Sequence, residues 1–484
     1  MATISSIGIG SGIDVDSLLS KLMSLQQQPI TDIQTRSTSL KTQLSVYGQV
    51  KSSLSTLRDA ASKLTTPSLW TGVKATSSDS SSVAVSASGT PAAGNLSVSV
   101  SQLAAAQSVA TGSFANASAT VGAGTLTLQL GSWNLDGAQN PTTFTPKSGS
   151  SAVNISINAD DKLSTVRDKI NAANAGVTAS IVTDASGARL TITSKTTGEN
   201  SAFRLQATDG DGNDTDAAGL SRLAYDPENS ANAMTLSVKA VNARAMINGL
   251  SVSSETNSLN STIDGLNILL LKVTPPVSLT IASDIDAIKK AISDFTSAYN
   301  AINSMMRTQT KYDEATKTAG ALQGDSTANS LQYQLRGIVG GSTTLGGSLQ
   351  RLSDLGMAPG KDGALASGGT KLDAILNSGN LNDLKAFFMG VDNGNSGNNG
   401  FATKLRSFAD QVLGVDGGIA TRSTGIQKQI DRNNDQIDRL AARNNAMEVR
   451  LRAQYSTLDL TMSKYNSLST YLSQQLTAMN NSNK

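Results

Sequence analysis

The sequence predicts an α+β protein in which helical, coiled-coil-like terminal regions pack together and β-rich (α+β) domains are inserted between them. Apolar residues recur at helical spacing at both ends of the chain. Between residue 72 and about residue 280 they give way to short alternations of Val, Ile, Leu, Thr and Ser, broken by Gly, Asn and Pro. Because helical segments flank the β region on both sides, the economical arrangement joins the chain ends and carries the β region as an insertion.

The N-terminal region predicts two helices separated at Pro29. Asp14 is placed to cap the first, whose apolar stripe is Leu18, Leu19, Leu22 and Leu25. Proline cannot donate to the preceding turn but suits the start of a helix, so we expect a second helix from about residue 30 to residue 64. Its apolar residues are Ile30, Ile33, Leu40, Leu44, Tyr47, Val50, Leu54, Leu57 and Leu64.

The C-terminal region predicts one long helix with a heptad seam. Its a-type positions are Ile430, Ile437, Asn444, Leu451, Leu458, Tyr465, Leu472 and Met479. The d-type positions are mixed: Ile426, Leu440, Met447 and Leu468 are apolar, whereas Asn433, Gln454, Thr461 and Gln475 are polar. Such a seam needs a partner to be stable. Asn444 is either a register-setting residue or a weak point.

Acidic residues stand four positions before arginines on this helix, at Asp435 and Arg439 and at Glu448 and Arg452. We expect both pairs to form on a solvated face. The predicted assembly seam comprises Leu18, Leu22, Ile30, Ile33, Leu40, Leu44, Ile430, Ile437, Asn444, Leu451, Leu458, Tyr465, Leu468, Leu472 and Met479.

The central region predicts strands, a short helix and a third long helix. The segment "VNISINADDKLSTVRDKINAANAGVTASIVTDASGARLTITS" has the order strand, helix, strand, turn, strand, which is a compact α+β unit. A helix from Ser283 carries Ile285, Ile288, Ile292, Phe295, Tyr299, Ile302 and Met306. Trp70 is expected to pack in a core or at a hinge, and Trp133 has no aromatic neighbour at useful spacing.

The composition excludes several classes of function. The chain has no Cys and no His, which removes thiolate metal sites, disulfides and nucleophilic triads that use His. Chemistry that uses carboxylates alone survives as an alternative. Lys plus Arg (39) almost cancels Asp plus Glu (37), so we expect no nucleic-acid partner. No secretory signal is expected before Lys21, and "LNILLL" is too short to span a bilayer.

Two motifs fail as ligand sites, and we predict no cofactor and no metal. In "GIGSGIDVDSLLSKLM", Ile13 stands where a dinucleotide loop needs its third glycine. In "DGDGNDTDAAG", Asp209, Asp211 and Asn213 resemble the first ligands of a Ca²⁺ loop. Asp214 and Leu220 then occupy the turn and closing positions, which excludes an EF-hand.

Six segments in order along the chain resemble the flagellar hook-associated protein 2 family. They are "ISSIGIGSGIDVDSLLSKLMSLQQQPI", "SVSVSQLAAAQSVATG", "INGLSVSSETNSLNSTIDGLNILLL" leading into "DFTSAYNAINSM", "LQGDSTANSLQYQLRGIV", "LSDLGMAPGKDGALA" and "MSKYNSLSTYLSQQLTAM". "KINAANAGVTASIV" also resembles a motif of flagellin-like proteins.

The resemblance implies a secreted, non-enzymatic filament cap at the distal tip of a bacterial flagellum. Implied partners are further copies of the chain in a five-fold ring, flagellin, the flagellar export apparatus with an export chaperone, and a host-surface receptor. We expect four regions. Residues 1–40 and 440–484 are terminal assembly helices, disordered in the monomer; 41–72 and 283–439 form a helical leg domain; 73–113 and 237–282 form an inner β-rich head domain; 114–236 form an outer α+β head domain. A surface adhesin and a hook–filament junction protein are the alternatives.

Overall fold

The computed structural model of the chain describes residues 14–231 and 233–482. It divides into two compact units, one made from the residues up to Trp70 together with Ile285–Lys484, the other from Thr71–Asp284. We call these the helical unit and the β-rich unit. The α+β fold class and the insertion of β-rich domains between helical ends are thereby confirmed.

The helical unit is built on two long antiparallel helices with shorter helices packed beside them. Its helices are α1 (Val15–Leu64), α2 (Pro67–Thr71), α4 (Ile285–Thr310), α5 (Ser326–Gly340), α6 (Gly369–Asn377), α7 (Leu381–Met389), α8 (Phe401–Leu413) and α9 (Gly418–Ser482), and its two short strands are β17 (Tyr312–Asp313) and β18 (Thr318–Ala319). One apolar core joins the C-terminal half of α1 to α4, α5, α7, α8 and the start of α9. Trp70 lies in this core, stacked on Phe388, as the sequence predicted for core packing.

The predicted break at Pro29 is wrong, because α1 runs unbroken through it. Residues 24–29 are all exposed, so water has access to the turn in which Pro29 leaves the Leu25 carbonyl without a helical donor. Asp14 caps the helix as predicted, its carboxylate accepting from the Ser17 amide at 2.9 Å. The third long helix begins at Ile285 rather than at Ser283.

The β-rich unit contains two apolar cores. Its elements are β1 (Val73–Ser77), β2 (Val83–Ala87), β3 (Gly94–Gln102), β4 (Ser108–Ala110), β5 (Gly124–Leu135), β6 (Pro141–Pro146), β7 (Val153–Ile157), α3 (Leu163–Ala172), β8 (Val177–Asp184), β9 (Gly187–Ser194), β10 (Ala202–Asp209), β11 (Thr235–Val238), β12 (Ala243–Ile247), β13 (Leu250–Ser254), β14 (Ser258–Ile263), β15 (Leu266–Leu270) and β16 (Thr274–Ser283). The order β7, α3, β8, β9 confirms the predicted compact α+β unit.

The first core lies between a five-stranded antiparallel sheet, in the order β1-β16-β3-β12-β13, and the three-stranded sheet β14-β15-β2. Strands β1 and β16 pair from Val73 with Ser283 onward, so the chain enters and leaves this unit side by side. The Asn248–Gly249 turn joins β12 to β13 with positive φ at both residues, the geometry of a type I′ hairpin.

The second core lies between β10-β5-β6, with β7 beside β5, and the sheet β11-β4-β9-β8, and it includes α3. Val109 of β4 belongs to this core. The predicted boundary between the inner and outer head domains, between residues 113 and 114, falls after β4 and so assigns this strand to the other domain. Trp133 contacts Phe144 and Tyr225 with ring centroids 4.8 and 5.9 Å apart. The expectation that Trp133 lacks aromatic partners is therefore wrong, because β-sheet pairing joins residues that are distant in sequence.

Candidate assembly interface

Helices α1 and α9 pair antiparallel, and three polar contacts fix their register. The Asn433 amide donates to the Ser37 hydroxyl at 3.1 Å, and Asn444 Nδ2 donates to the Gln26 carbonyl at 2.9 Å. Arg452 pairs with Asp16 at 3.0 Å. From one contact to the next, the residue number on α9 rises as the residue number on α1 falls. All three contacts therefore belong to one continuous antiparallel register.

Asn444 is buried, and its partner carbonyl lies one residue from the carbonyl that Pro29 leaves without a helical donor. The Asn444 side chain therefore donates a hydrogen bond to a turn of α1 whose backbone hydrogen bonding is incomplete because of Pro29. This geometry favours the register-setting role for Asn444 over the weak point.

The structure places the predicted seam residues in three groups. Ile30, Ile33, Ile430 and Asn444 are buried, and Leu40, Leu44, Ile437 and Leu451 are half-buried. Exposed members are Leu18, Leu22, Leu458, Tyr465, Leu468, Leu472 and Met479. The structure therefore covers most of the seam where α1 and α9 overlap and leaves the distal part of α9 open. Leu18 and Leu22 are the exceptions, because they lie on the overlapping part of α1 but are exposed, so their place in the seam of the single chain is wrong.

The open part of the seam is a continuous apolar stripe on α9. Leu458, Tyr465, Leu472 and Met479 are between 47% and 63% exposed, and they continue the face that carries Asn444 and Leu451 against α1. Met462 and Leu476 lie on the same face and are also exposed. An exposed helical stripe of this length is typical of a surface that another helix covers.

The Glu448–Arg452 pair forms at 3.0 Å as predicted, and Arg452 also reaches Asp16. The Asp435–Arg439 pair is wrong, because the ion pairs found in the described part of the chain do not include it. Arg452 has a neighbouring helix to orient it, whereas Asp435 and Arg439 lie on a face with none.

A buried polar network, which the sequence analysis missed, holds α1, α5 and α9 together. Tyr47 Oη donates to Asp325 Oδ1 at 2.6 Å, and Arg422 donates to Asp325 Oδ2 through Nε and Nη2, both at 2.9 Å. Asp325 also caps α5 by accepting from the Ala328 amide at 3.0 Å. The carboxylate thus has four donors from three helices.

Burial and Asp325 raise the pKa of the Tyr47 hydroxyl well above its ordinary value, so it stays protonated and donates. Burial alone would raise the pKa of Asp325, but the hydrogen bonds from Tyr47, Ala328 and Arg422 outweigh it and the pKa is lowered. The network is therefore an ionised carboxylate held by a neutral phenol and a guanidinium.

The segment "GKDGAL" is clamped onto α4 and α5. Asn300 exchanges two hydrogen bonds with the Leu365 backbone, at 2.9 and 2.7 Å, and Asn303 and Arg336 both donate to the Asp362 carbonyl at 3.1 Å. Gly363 has φ +80°, and a Cβ there would lie 2.8 Å from Arg336 Nε. This family-like segment therefore has a packing role.

The "DGDGNDTDAAG" segment brings the carboxylates of Asp209, Asp211 and Asp216 together. One carboxylate oxygen from each of the three lies within 4.8 Å of the others. Asp209 already accepts from the Ser221 amide at 2.8 Å, and Asn213 accepts from the Thr215 amide. Leu220, at the position of a closing ligand, is buried in the second core. Within residues 14–231 and 233–482, no helix has the length and apolar character needed to cross a bilayer.

Three family models match the chain. Those for the flagellar hook-associated protein 2 N-terminus and C-terminus match residues 11–107 and 240–467, and the flagellin hook IN motif matches residues 143–196. The chain is 32% identical to flagellar hook-associated protein 2 of Escherichia coli K12 and 28% identical to that of Salmonella typhimurium, over the full length of each pair.

A B-type flagellar hook-associated protein 2 of Pseudomonas aeruginosa is 29% identical over 94% of this chain and 93% of its own. The crystal structure of the D1-D2-D3 domains of the flagellar cap protein FliD from Escherichia coli superposes with a TM-score of 0.56 at 29% identity. That superposition covers 79% of this chain and 99% of the crystallised one.

Proposed function

The chain belongs to the flagellar hook-associated protein 2 family, the structural cap proteins at the tip of the bacterial flagellar filament, and we propose that it acts there as a closed five-fold ring of identical subunits. In this proposal the ring promotes insertion of exported flagellin beneath it and prevents loss of flagellin from the tip. The chain performs no catalysis in this proposal.

The open stripe on α9 is the observation that carries the proposal. Leu458, Leu468 and Leu472 are each about half exposed, on the face that packs against α1 further down the helix. Full burial of a Leu side chain from water is worth about 1.5–3 kcal/mol, so each of these half-exposed side chains gains about half of that when it is covered, and the stripe as a whole favours association. A cap that is assembled from subunits and docked on a filament buries such a surface.

We keep the four-part division as part of the proposal: terminal assembly helices (1–40 and 440–484), leg (41–72 and 283–439), inner head (73–113 and 237–282) and outer head (114–236). The terminal helices are proposed to order on assembly; residues 1–13, 483 and 484 lie outside the described residues. The polar d-type positions support this, because a helix that buries little apolar area cannot offset an ordering cost of about 1–2 kcal/mol per residue.

Hydrogen exchange on the dilute monomer tests the ordering step. We expect fast exchange at Leu458, Tyr465 and Leu472, and protection at all three after assembly. Strong protection in the monomer would contradict it, and exchange at Leu54 in the core of the helical unit is the internal reference for a folded helix.

The proposed partners are flagellin, the flagellar export apparatus, an export chaperone and a host-surface receptor. Open apolar helices at the ends of the chain suit the first three, because an amphipathic helix docks readily into an apolar groove. For the receptor, the β-rich unit offers a cleft of about 410 Å³, lined by Trp133, Glu199 and Arg244 among others.

Deletion of the gene tests the cap function. We expect cells that are non-motile or carry very short filaments, with unpolymerised flagellin accumulating in the medium. Re-expression of the full chain should restore both filament length and flagellin retention. Filaments of normal length in the deletion strain would refute the proposal.

A further inference from the structure

The solvent side of α9 carries two flanks of opposite charge. Around a helix, successive residues turn by about 100°, and on this scale four arginines fall within about 40° of one another and three aspartates within about 60°. The centres of the two groups are about 90° apart, and both face away from α1. We name them the basic flank, consisting of Arg432, Arg439, Arg443 and Arg450, and the acidic flank, consisting of Asp431, Asp435 and Asp438.

All seven side chains are exposed, and none belongs to an ion pair formed within the described part of the chain. Asp431 accepts a hydrogen bond from Gln427 of the same helix at 2.9 Å, and that contact leaves its charge uncompensated. The nearby Arg452, by contrast, is paired with both Asp16 and Glu448. Charges on α9 therefore pair where a second helix orients them and stay unpaired on the solvent side.

The two flanks lie level along the helix. Arg432 and Arg439 span the same two turns as the three aspartates, which begin at Asp431 and end at Asp438. A second copy placed beside the first with α9 parallel and at the same height would bring its acidic flank to the basic flank of its neighbour. Such a contact uses different surfaces on the two partners, so repetition generates a ring when the rotation between neighbours closes.

We propose that the basic flank of each subunit docks on the acidic flank of the next copy of this chain, and that this contact sets the lateral spacing of the α9 helices in the ring. The inference rests on the proposed ring and names the contact between its neighbours. Opposite charges favour parallel α9 helices in neighbouring subunits, because an antiparallel arrangement brings like charges together. The remaining arginines, Arg443 and Arg450, extend the basic flank by about 18 Å beyond Asp438 and allow an axial offset between neighbours.

Charge reversal on the purified full chain tests the contact. One variant reverses the basic flank (Arg432→Glu with Arg439→Glu), a second reverses the acidic flank (Asp435→Lys with Asp438→Lys), and a third combines all four changes. Lys51→Glu on α1, an exposed charge on another helix, is the matched control. Mass photometry measures the concentration at half-assembly, and circular dichroism checks that each variant is helical.

We expect each half-reversal to raise the half-assembly concentration about ten-fold or more, as attraction becomes repulsion at every contact. The variant that combines all four changes should have a half-assembly concentration within about three-fold of the wild-type value. Lys51→Glu should leave the half-assembly concentration unchanged. A 1:1 mixture of the two half-reversed variants should recover association into mixed pairs and short open chains, because neighbouring subunits then present opposite flanks, although a ring of five cannot close without one like-charged contact. High salt should weaken assembly of the wild type and of the variant with all four changes alike.

Assembly that is indifferent to both half-reversals would overturn the flank contact and leave the cap function standing. Failure of both the variant with all four changes and the mixture to recover, with the helices intact, would overturn it equally. A wild-type chain that stays monomeric at every concentration would instead refute the ring and this contact with it.

Discussion

Removal of the Asp325 carboxylate is the most informative perturbation of the helical unit. The side chain is 3% exposed and has donors from Tyr47, Arg422 and the Ala328 amide. In Asp325→Ala, the Tyr47 hydroxyl is left buried without a partner and α5 loses its N-cap. Arg422 loses its counter-ion, although its 36% exposed side chain can recover part of that loss from water.

The expected cost follows from these losses. An unsatisfied buried hydroxyl costs about 1–3 kcal/mol and a lost N-cap costs about 1 kcal/mol. With a discounted contribution from Arg422, we expect Asp325→Ala to lower the free energy of unfolding of the helical unit by about 4 kcal/mol. Tyr47→Phe should cost only about 1–2 kcal/mol, since it leaves the ion pair and the cap in place. The double variant should cost less than the sum, because both changes remove the same hydrogen bond.

Tryptophan fluorescence reports on the helical unit alone in a Trp133→Phe background, which leaves Trp70 in the core beside Phe388 as the single tryptophan. Urea unfolding followed by this signal gives the free-energy differences. The complementary Trp70→Phe background leaves Trp133, packed on the second core, as the single tryptophan, and its fluorescence follows the β-rich unit as a control that should not move. An Asp325→Ala variant within about 1 kcal/mol of the wild type, or strict additivity with Tyr47→Phe, would refute the reasoning.

The network also predicts how stability depends on pH. The folded pKa of Asp325 lies below its ordinary value of 3.8, so its contribution is present above that value and is lost as the pH falls through the folded pKa. The folded pKa of Tyr47 is raised above 10.0, so its contribution is present below pH 10 and is lost as the pH rises further. The wild type should therefore lose stability relative to Asp325→Ala below about pH 4, and relative to Tyr47→Phe above about pH 10.

Three further changes have defined outcomes. Asn444→Leu should leave the free energy of unfolding within about 1 kcal/mol but relax the α1–α9 register; the yield of a short bis-maleimide cross-link between Asp16→Cys and Arg452→Cys, measured on the assembled protein in a chain without native cysteine, should fall, and an unchanged yield would contradict the register role. Gly363→Val should cost about 2–3 kcal/mol by urea unfolding, since its φ is +80°, whereas a cost below about 0.5 kcal/mol would show that the loop yields. Truncation from Gln454 onward should leave both units melting as before and abolish capping in the motility assay; loss of cooperative melting would show that the tail supports the fold.

The heptad pattern predicted α9 and its need for a partner, because both are properties of one helix face. The position of helical segments on both sides of the β region predicted that this partner is the other end of the chain. Ile430, Asn444 and Leu451 lie where a period of seven places them. The prediction failed at Pro29, where the local rule for proline was overridden by solvent exposure of the turn and by the packing of α1 on both sides of it. The intrinsic helix propensity of a residue sets the free-energy cost of placing it in a helix, and tertiary packing decides whether the helix continues past it.

The network at Asp325 could not have been predicted from sequence. Tyr47 and Asp325 are 278 residues apart, and Arg422 lies on a third helix. Each residue has an ordinary local role, because Tyr47 belongs to the apolar face of its helix and Asp325 is an N-cap. Only the packing of α1, α5 and α9 brings the three side chains together. The same reason explains Trp133, whose ring partners come from β6 and from the chain after β10.

The two parts of the α9 seam follow one pattern but have different surroundings. Up to Arg452 the seam is covered by α1, and beyond it the apolar residues face water, with polar Gln454, Thr461 and Gln475 spaced among them. A fully apolar seam of this length would associate in any register and before assembly begins. Polar residues at three of the four distal d-type positions weaken such premature association, since each must give up its water to be buried. A partner that contacts only the folded helix can still stabilise it by mass action, so the distal seam acquires its stability from assembly.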